Sequence, residues 1–435
     1  METEIGHLGY SIVLKTLPPH FLQNIKNDLY VKPVENPNFP SDGGVYPIFR
    51  ISKSKIYLPR YYGITEYQQP KINTLPDGEP INVTFNGSLR EIQEISINET
   101  IKTYNSIGGG LVSLDTGLGK TVVALKIISI MKTKTLVIVH AEFLLDQWVE
   151  RIKTFLPDAR IGVIQQDKCQ WENCDVVVGM IQSIVKRDYP KECFRSFGHL
   201  IVDECHHIGS KTFSSIFFKI QTKYMLGLSA TPERKDGLSK VIYWFLGPQI
   251  VHFKRETDKP SIKFVFTDTA KYEEKFNKLG KVNNPTMITD LTSNIDRNEL
   301  IIKIVQERLL ESRKILILTD RRQQCDYFLQ RLTILGISAG IYVGGLKSKD
   351  RELSVTKSVI IGTYQASGEG FDVPELDTLI LASPKSDVEQ AVGRILRQKN
   401  KNEPIVIDIV DSFSIFKGQY YKRRKFYKLN NMIMV

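Results

Sequence analysis

The sequence is poor in cysteine and lacks long apolar runs. None of its apolar runs reaches the ~18 residues of a membrane span, and its first residues lack the basic start and apolar core of a signal peptide. Its five cysteines are odd in number and scattered, which disfavours a disulfide framework and indicates a reducing compartment. Cys169 and Cys174 are close together, but no second Cys or His pair stands at zinc-ligand spacing. We therefore expect neither membrane insertion nor a structural zinc site.

The remaining composition is that of a basic globular chain. Its 435 residues are 42% hydrophobic and 25% charged, which allows two or three domains with ample cores. The formal net charge is +11 and the pI is near 9.2. This surplus favours a polyanionic partner, nucleic acid first, although solvated surface lysines would give the same balance.

A phosphate-binding loop is the strongest local signal. A short apolar run, Leu111–Leu114, precedes a glycine-bearing turn, and a helix-compatible run, Val122–Met131, follows it. Glycines let backbone N–H groups close around phosphate oxygens, and the helix N-terminus adds partial positive charge. Lys120 can reach the β- and γ-phosphates, and the Thr121 hydroxyl can ligate Mg²⁺. The predicted nucleotide-binding residues of this loop are Leu114, Asp115, Thr116, Gly117, Leu118, Gly119, Lys120 and Thr121.

Two features near this loop leave alternatives open. Leu114 stands where the full pattern has its first glycine, so an ordinary turn between strand and helix is the competing interpretation. Gln93, about twenty residues upstream, could donate to and accept from an adenine edge and thereby select ATP. It could equally be a surface glutamine that starts a helix.

A second motif follows a predicted buried strand. The apolar run His199–Val202 leads into Asp203-Glu204-Cys205-His206. Asp203 is suited to hold Mg²⁺, and Glu204 is suited to polarise an attacking water. The alternative is an acidic pair that caps the next helix. The next strand, Tyr224–Leu228, leads into Ser229-Ala230-Thr231, whose hydroxyls could hydrogen-bond the acidic motif.

Strand and helix signals divide the chain into three parts. Residues 1–84 carry many prolines and predict a small β-rich accessory domain, with short strands at Tyr46–Ile51 and Lys55–Leu58 and no helix after about residue 30. Residues 85–252 and 253–435 each alternate continuous apolar strands with helices, which is typical of parallel sheets covered on both faces. The segment Phe49–Tyr62 interleaves aromatic residues with cations. It either binds phosphates and bases, or supplies the core of the accessory domain.

The third part contributes cations rather than a second phosphate loop. A helix predicted from Asp387 carries Gln390, Gly393, Arg394 and Arg397. Arg394 and Arg397 are three residues apart, so they share a helix face and could stabilise charge on a γ-phosphate in a facing domain. The alternative is an amphipathic surface helix with solvated arginines. The tail Tyr420–Lys428 is basic and aromatic, and is either a contact for nucleic-acid backbone or a solvated helix end.

In this order the motifs resemble those of the superfamily 2 helicases of the Asp-Glu-x-His type. The resembling set spans residues 85 to about 410 and comprises Leu-Arg-x-x-Gln, Gly-x-Gly-Lys-Thr, Asp-Glu-Cys-His, Ser-Ala-Thr and Gln-x-x-Gly-Arg-x-x-Arg. The run Gly227–Gly237 is most similar to the branch that acts in DNA repair and promoter opening. The resemblance implies an α/β chain with two tandem RecA-like parallel-sheet domains, and ATP and Mg²⁺ as cofactors.

The same resemblance implies roles for individual residues. The implied catalytic residues are Lys120, Glu204, Arg394 and Arg397, and the implied metal ligands are Thr121 and Asp203. Outside the phosphate loop, the implied nucleotide-binding residues are Gln93, Asp203, Glu204, His206, Gly370, Asp372, Gln390, Arg394 and Arg397.

We therefore predict an ATP-dependent helicase or translocase that acts on nucleic acid. The residues of the motifs favour DNA over RNA. An RNA helicase of the same superfamily is the first alternative. A duplex translocase that does not unwind is the second, because Thr-Gly-Leu-Gly-Lys-Thr also occurs in chromatin remodellers, although the large insertion that they carry is missing. A non-catalytic nucleic-acid-binding scaffold is the alternative from another class, and the intact motif residues disfavour it.

The segment Ile56–Gly63, the compact length and the Lys-, Asn- and Ile-rich wording resemble helicases of large DNA viruses that are related to poxvirus transcript-release helicases. This resemblance implies that ATP hydrolysis drives strand separation or transcript release. It implies transcription or repair machinery as partners and a cytoplasmic viral factory or virion as the location, with the nucleus as the alternative. We expect a monomer without a membrane partner.

Overall fold

The computed structural model describes residues 1–34, 44–115, 117–234, 236–254, 259–270, 272–346, 348–366, 371, 373–396 and 401–435. The chain divides into two compact units, Met1–Arg255 and Glu256–Val435. Among the residues so described, no helix is both long and apolar enough to cross a bilayer.

The first unit opens with a small sheet and two helices. Its elements are β1 (Thr3–Gly6), β2 (Gly9–Val13), α1 (Pro19–Leu29), β3 (Tyr30–Val31), β4 (Tyr46–Pro47), β5 (Arg50–Ile51), β6 (Lys55–Leu58), α2 (Arg60–Tyr67) and β7 (Ile72–Asn73). The sheet order is β5-β6-β2-β1-β7, and every pair is antiparallel except β1 with β7. Strands β3 and β4 form a separate antiparallel pair.

Helix α2 contradicts the expectation of no helix after residue 30. Its stability comes from packing rather than from helical periodicity. The Tyr62 ring meets the Trp244 ring edge-on at 5.3 Å, and the buried Arg60 guanidinium donates to the Thr222 carbonyl at 3.0 Å. Phe49, Tyr61 and Tyr62 are all buried, so these aromatic residues of Phe49–Tyr62 belong to the core, the second of the two interpretations. The separation of residues 1–84 as an accessory domain stays a prediction.

An eight-stranded α/β sheet forms the rest of the first unit. Its elements are α3 (Glu91–Ser106), β8 (Gly109–Leu114), α4 (Lys120–Met131), β9 (Thr135–Val139), α5 (Glu142–Phe155), β10 (Ile161–Gln165), β11 (Lys168–Cys169), β12 (Val176–Met180), α6 (Ile181–Lys186), α7 (Lys191–Arg195), β13 (His199–Val202), α8 (Lys211–Ser214), β14 (Tyr224–Ser229), α9 (Ser239–Leu246) and β15 (Gln249–Phe253). The order is β11-β10-β12-β9-β13-β14-β8-β15, parallel throughout except for the β10–β11 hairpin. The buried strands β8 and β13 therefore end at the same edge, with β14 between them.

The second unit is built on a seven-stranded, wholly parallel sheet. Its elements are β16 (Ser261–Phe266), α10 (Asn284–Ser293), α11 (Ile295–Leu309), β17 (Ile315–Thr319), α12 (Arg322–Ile334), β18 (Ala339–Tyr342), α13 (Ser348–Val355), β19 (Val359–Thr363), β20 (Thr378–Leu381), α14 (Glu389–Gly393), β21 (Ile405–Val410), α15 (Ser414–Leu429) and β22 (Ile433–Met434). The order is β18-β19-β17-β20-β21-β16-β22. Apolar side chains cover both faces of this sheet in two clusters.

Candidate nucleotide site

The glycine loop lies between the end of β8 and the start of α4. The Leu114 side chain is fully buried in the sheet core, so the position that departs from the full pattern faces inward, and its carbonyl accepts from Lys120 Nζ at 3.3 Å. The Asp115 N–H donates to the Phe253 carbonyl at 3.1 Å and fixes the start of the loop. Gly117 and Gly119 adopt positive φ of 85° and 87°, a conformation that favours glycine.

Gln93 and Arg90 brace this loop from the start of α3. The Gln93 Nε2 donates to the Leu118 carbonyl at 2.9 Å, and its Oε1 accepts from the Arg90 N–H at 3.0 Å. The Arg90 Nη2 donates to the Gly117 carbonyl at 3.0 Å. A Cβ on Gly119 would lie 2.3 Å from Gln93 Nε2, so the approach requires glycine. Gln93 thus starts a helix, as one interpretation proposed, yet it is buried against the loop rather than exposed.

Asp203 follows β13 and is buried beside α5. Its Oδ2 accepts from the Trp148 indole N–H at 2.8 Å, and its Oδ1 accepts from the Glu204 N–H at 3.0 Å. Burial, followed by the negative charge of Glu204, raises the pKa of Asp203 to about 6, while the Trp148 hydrogen bond opposes that shift. A cation at this carboxylate would relieve the unfavourable burial of its charge.

Glu204 lies between the loop lysine and the motif histidine. Its Oε1 is 3.6 Å from Lys120 Nζ, and its Oε2 is 3.4 Å from His206 Nδ1. The backbone of Glu204 is left-handed, with φ 45° and ψ 51°, and a tight helical turn, Cys205–Gly209, follows. Such a conformation is unfavourable for a residue with a side chain and tends to occur at functional sites.

Ser229 connects the acidic motif to the end of β14 through His206. The His206 Nδ1 lies 3.2 Å from Ser229 Oγ, which accepts from the Thr231 N–H at 3.2 Å. Arg234 donates to the His206 carbonyl and pairs with Asp236, with 2.9 Å between Arg234 Nε and Asp236 Oδ1. The hydroxyl contact matches the sequence expectation, whereas the role of Arg234 was not anticipated.

In the second unit, Arg394 is buried and Gln390 is exposed. The Arg394 Nη1 donates to the Phe371 carbonyl at 2.6 Å. The predicted helix from Asp387 is shorter than expected: α14 spans Glu389–Gly393, and Arg394 starts a tighter turn, Arg394–Leu396. Burial excludes a solvated surface position for Arg394. The other predicted site residues Thr116, Gly370, Asp372 and Arg397 lie outside the described residues.

The residues of the first unit fit Mg²⁺-bound ATP. Mg²⁺ is usually bound by one or two protein oxygens together with substrate phosphates, and the Thr121 hydroxyl and Asp203 carboxylate can supply those oxygens. The loop offers two glycines, a lysine and a helix N-terminus to phosphate oxygens. The close approach of Gly119 to Gln93 leaves no room there for a side chain.

Sequence reasoning missed two residues that position this site. Trp148 is 55 positions away from its partner Asp203, and no local pattern marks that contact. Arg90 belongs to the Leu-Arg-x-x-Gln motif, so its place beside Gln93 was an available signal.

Family models match both units. Residues 86–234 match the model described as Type III restriction enzyme, res subunit, and residues 296–399 match the helicase conserved C-terminal domain. Together with the parallel sheets, these matches confirm two tandem RecA-like helicase domains.

Individual relatives extend the match over nearly the whole chain. L396 of Acanthamoeba polyphaga mimivirus, which is named as an ATP-dependent RNA helicase, is 34% identical over 446 residues, covering 98% of this chain and 85% of L396. QP509L of African swine fever virus, with a similar name, is 29% identical and covers 75% of this chain and 70% of QP509L. The crystal structure of T4 UvsW covers 100% of this chain and 99% of UvsW, at 18% identity and a TM-score of 0.41.

The chain belongs to the superfamily 2 helicases of large DNA viruses. It is an ATP-hydrolysing enzyme of the helicase class, and the prediction of ATP-dependent helicase activity is confirmed. The alternative of a non-catalytic scaffold is therefore wrong.

Proposed function

We propose that this helicase hydrolyses Mg²⁺-bound ATP at the loop of the first unit and that the nucleic acid on which it acts is DNA. The arrangement of Lys120, Glu204 and Asp203 carries the proposal. Lys120 Nζ is 3.6 Å from Glu204 Oε1, next to a buried carboxylate at the end of β13. All three side chains belong to the carboxyl edge of a parallel sheet, where α/β proteins bind ligands.

Each side chain has a distinct task in this proposal. Lys120 holds the β- and γ-phosphates, while its neighbour Glu204 orients the attacking water and accepts its proton. Asp203 and Thr121 would hold Mg²⁺, which would neutralise phosphate charge. Trp148 keeps Asp203 in place through the indole N–H. Gln93 and Arg90 hold the loop carbonyls, so that the loop keeps its backbone N–H groups turned toward phosphate.

Arg394 and Arg397 are the catalytic arginines in this proposal, the role that the resemblance to superfamily 2 helicases implies. Their cations stabilise the charge that develops on the γ-phosphate. The bond from Arg394 Nη1 to the Phe371 carbonyl supports this role, because it restricts the rotamers of an otherwise flexible side chain.

Two observations bear on the nucleic acid. The run Gly227–Gly237 favours DNA, because it is similar to the repair and promoter-opening branch. Arg234 in this run donates to the carbonyl of His206 in the acidic motif. RNA is the second candidate, because L396 and QP509L are named as RNA helicases. In either case we propose that the enzyme serves viral transcription, separating strands or releasing transcripts in a cytoplasmic factory or virion.

An ATPase assay with single-stranded DNA, duplex DNA and RNA, each at two salt concentrations, tests the proposal. We expect stimulation by DNA that weakens at the higher salt, because grip on the phosphate backbone is electrostatic. Stimulation by RNA but not by DNA would show that RNA, the second candidate, is the nucleic acid on which the enzyme acts. Stimulation by duplex without strand displacement would indicate a translocase.

A variant pair ties this activity to the loop. Lys120→Ala should abolish turnover while leaving the fold intact. Lys126→Ala, on the same helix but beside Phe85, should retain it. Normal turnover in Lys120→Ala would contradict the assignment.

A further inference from the structure

The last helix, α15, concentrates positive charge. Residues 412–435 contain six cations and no Asp or Glu. One of the six, Arg423, is buried and pairs with Asp408 through bonds of 2.8 and 2.7 Å. The other five are exposed: Lys417, Lys422, Arg424, Lys425 and Lys428. Arg423 therefore anchors the helix, and the remaining charge faces solvent.

These five cations have no carboxylate partner within the part of the chain that the structure describes. Four of them share a helix face with Tyr421, because the spacings from Lys417 to Lys428 follow the three- and four-residue repeat of an α-helix. At ~1.5 Å per residue this row is about 16 Å long. A row of unneutralised cations is an electrostatic site for a polyanion.

Exposed aromatic rings adjoin this row. Phe266, the last residue of β16, is 59% exposed, and Tyr421 is 52% exposed. The Tyr420 ring joins them, with its centroid 5.8 Å from that of Phe266 and 5.3 Å from that of Tyr421. Three consecutive rings therefore run from the sheet to the helix, and two of them present much of their surface to solvent. We call the five exposed cations and these three rings the α15 surface.

One end of the α15 surface lies at the carboxyl edge of its sheet, and the helix runs from there toward the opposite edge, where β22 pairs with Ser261 at the start of β16. Phe266 pairs in register with Val410, and the two residues end the parallel strands β16 and β21. α15 begins four residues after Val410. Ligands of open parallel sheets bind at this carboxyl edge.

We propose that the α15 surface binds single-stranded nucleic acid, with phosphates on its cations and bases stacked on Phe266 and Tyr421. Cations alone would suit any polyanion, but exposed rings among them suit bases that are not paired. Duplex keeps its bases stacked on one another, so it offers no free base face to these rings. The inference rests on the proposed function only in requiring that the helicase engages nucleic acid.

Fluorescence anisotropy with fluorescein-labelled oligo-deoxythymidylate and oligouridylate tests the stacking. Tyr421→Ala should weaken binding by about ten-fold, the effect expected for loss of one base–aromatic stack. Phe276→Ala is the matched control, because Phe276 is 57% exposed in the same unit but outside the α15 surface. Equal affinity of Tyr421→Ala and wild type for both oligonucleotides would overturn the proposal.

The salt dependence tests the cations. The double charge reversal Arg424→Glu with Lys425→Glu should reduce the slope of log affinity against log salt by ~1.4, since each phosphate contact on a single strand contributes ~0.7. The control is Lys278→Glu with Lys281→Glu, which reverses two exposed charges of the same unit. A slope that is equal in the two double variants would contradict the phosphate contacts.

ATPase measurements separate this inference from the proposed function. The α15 variants should raise the oligonucleotide concentration that gives half-maximal stimulation, while basal ATPase stays unchanged. If wild type is not stimulated by any nucleic acid, the proposed function fails. If wild type is stimulated and the variants need the same oligonucleotide concentration as wild type for half-maximal stimulation, the α15 inference alone fails.

Discussion

The indole N–H of Trp148 donates to Asp203 Oδ2 over 2.8 Å. Both residues are buried. Burial and the neighbouring charge of Glu204 make the ionised form of Asp203 unfavourable. The Trp148 indole N–H and the Glu204 backbone N–H both donate to the Asp203 carboxylate and offset this cost. Helix α5, which carries none of the motifs named in the sequence analysis, thereby sets the position of the proposed metal ligand.

Trp148→Phe tests this relationship, because it keeps an aromatic ring and removes the donor. Loss of a buried hydrogen bond to a charged group weakens folding by about 1.5–3 kcal/mol, so we expect a lower free energy of unfolding by roughly that amount. We also expect a higher Mg²⁺ concentration for half-maximal ATPase. Urea unfolding and a Mg²⁺ titration measure the two effects. Trp244→Phe, which alters a tryptophan that packs on Tyr62, should leave the Mg²⁺ requirement unchanged.

Gly119→Ala should abolish nucleotide binding. Its Cβ would lie 2.3 Å from Gln93 Nε2 and would displace the brace that holds the Leu118 carbonyl. Gly336→Ala separates this clash from backbone strain, because Gly336 also has a positive φ, of 70°, yet nothing lies within 4 Å of its Cβ position. Both variants should lose about 1 kcal/mol or more of stability from the unfavourable φ. Only Gly119→Ala should fail to bind a fluorescent ATP analogue, and binding by it would disprove the predicted clash.

His199 should make the first unit sensitive to acid. Thr135 Oγ1 donates to the Thr133 carbonyl at 2.9 Å, so it accepts from His199 Nδ1–H at 3.3 Å, and Nε2 accepts from the Tyr104 hydroxyl at 2.8 Å. Burial lowers the pKa of His199 to about 3. Below about pH 6.5, His199 binds a proton in the unfolded chain but stays neutral in the folded chain. The free energy of unfolding therefore falls as the pH falls through that range, by about 2 kcal/mol at about pH 5.

Urea unfolding of wild type and His199→Gln at about pH 7.5 and about pH 5 measures this contribution. Tryptophan fluorescence reports the first unit, because Trp148, Trp171 and Trp244 all belong to it. Wild type should lose about 2 kcal/mol more than His199→Gln on acidification. His20→Gln, at an exposed position, should behave like wild type. Equal losses in wild type and His199→Gln would show that the buried imidazole is not the acid-sensitive group.

The buried strands were predictable because each one is an almost uninterrupted run of apolar residues. The sequence predicts strands at the apolar runs Thr135–Val139, Val176–Met180, His199–Val202, Val359–Thr363 and Thr378–Leu381, and these bounds match β9, β12, β13, β19 and β20 to the residue. A parallel strand that is covered on both faces needs apolar side chains at every position, which leaves a run with clear ends. The sequence also places Lys120 and Glu204 in motifs that follow strands, and in the structure Lys120 Nζ lies 3.6 Å from Glu204 Oε1.

What the sequence did not reveal depends on contacts between distant segments. Helix α2 is stabilised by the hydrogen bond from Arg60 to the Thr222 carbonyl, and no sequence pattern near residue 60 indicates this contact. The same applies to Trp148 and Asp203. Arg394 was expected on a continuous helix, but its side chain reaches the Phe371 carbonyl from a tighter turn, which local propensity does not determine.

Arg394 gives the sharpest test of how hydrolysis is completed. In the proposed mechanism its guanidinium stabilises the transition state more than it binds ATP, so Arg394→Ala should lower kcat by roughly a thousand-fold or more with little change in the affinity for ATP. Arg394 is buried, so loss of its bond to Phe371 could also unsettle the fold of the second unit. Arg394→Lys keeps the positive charge and should recover part of kcat, which a purely structural role would not explain. Arg331→Lys, at a guanidinium that pairs with Glu299, is the control and should retain kcat. A folded Arg394→Ala enzyme with unchanged kcat would remove Arg394 from the catalytic residues.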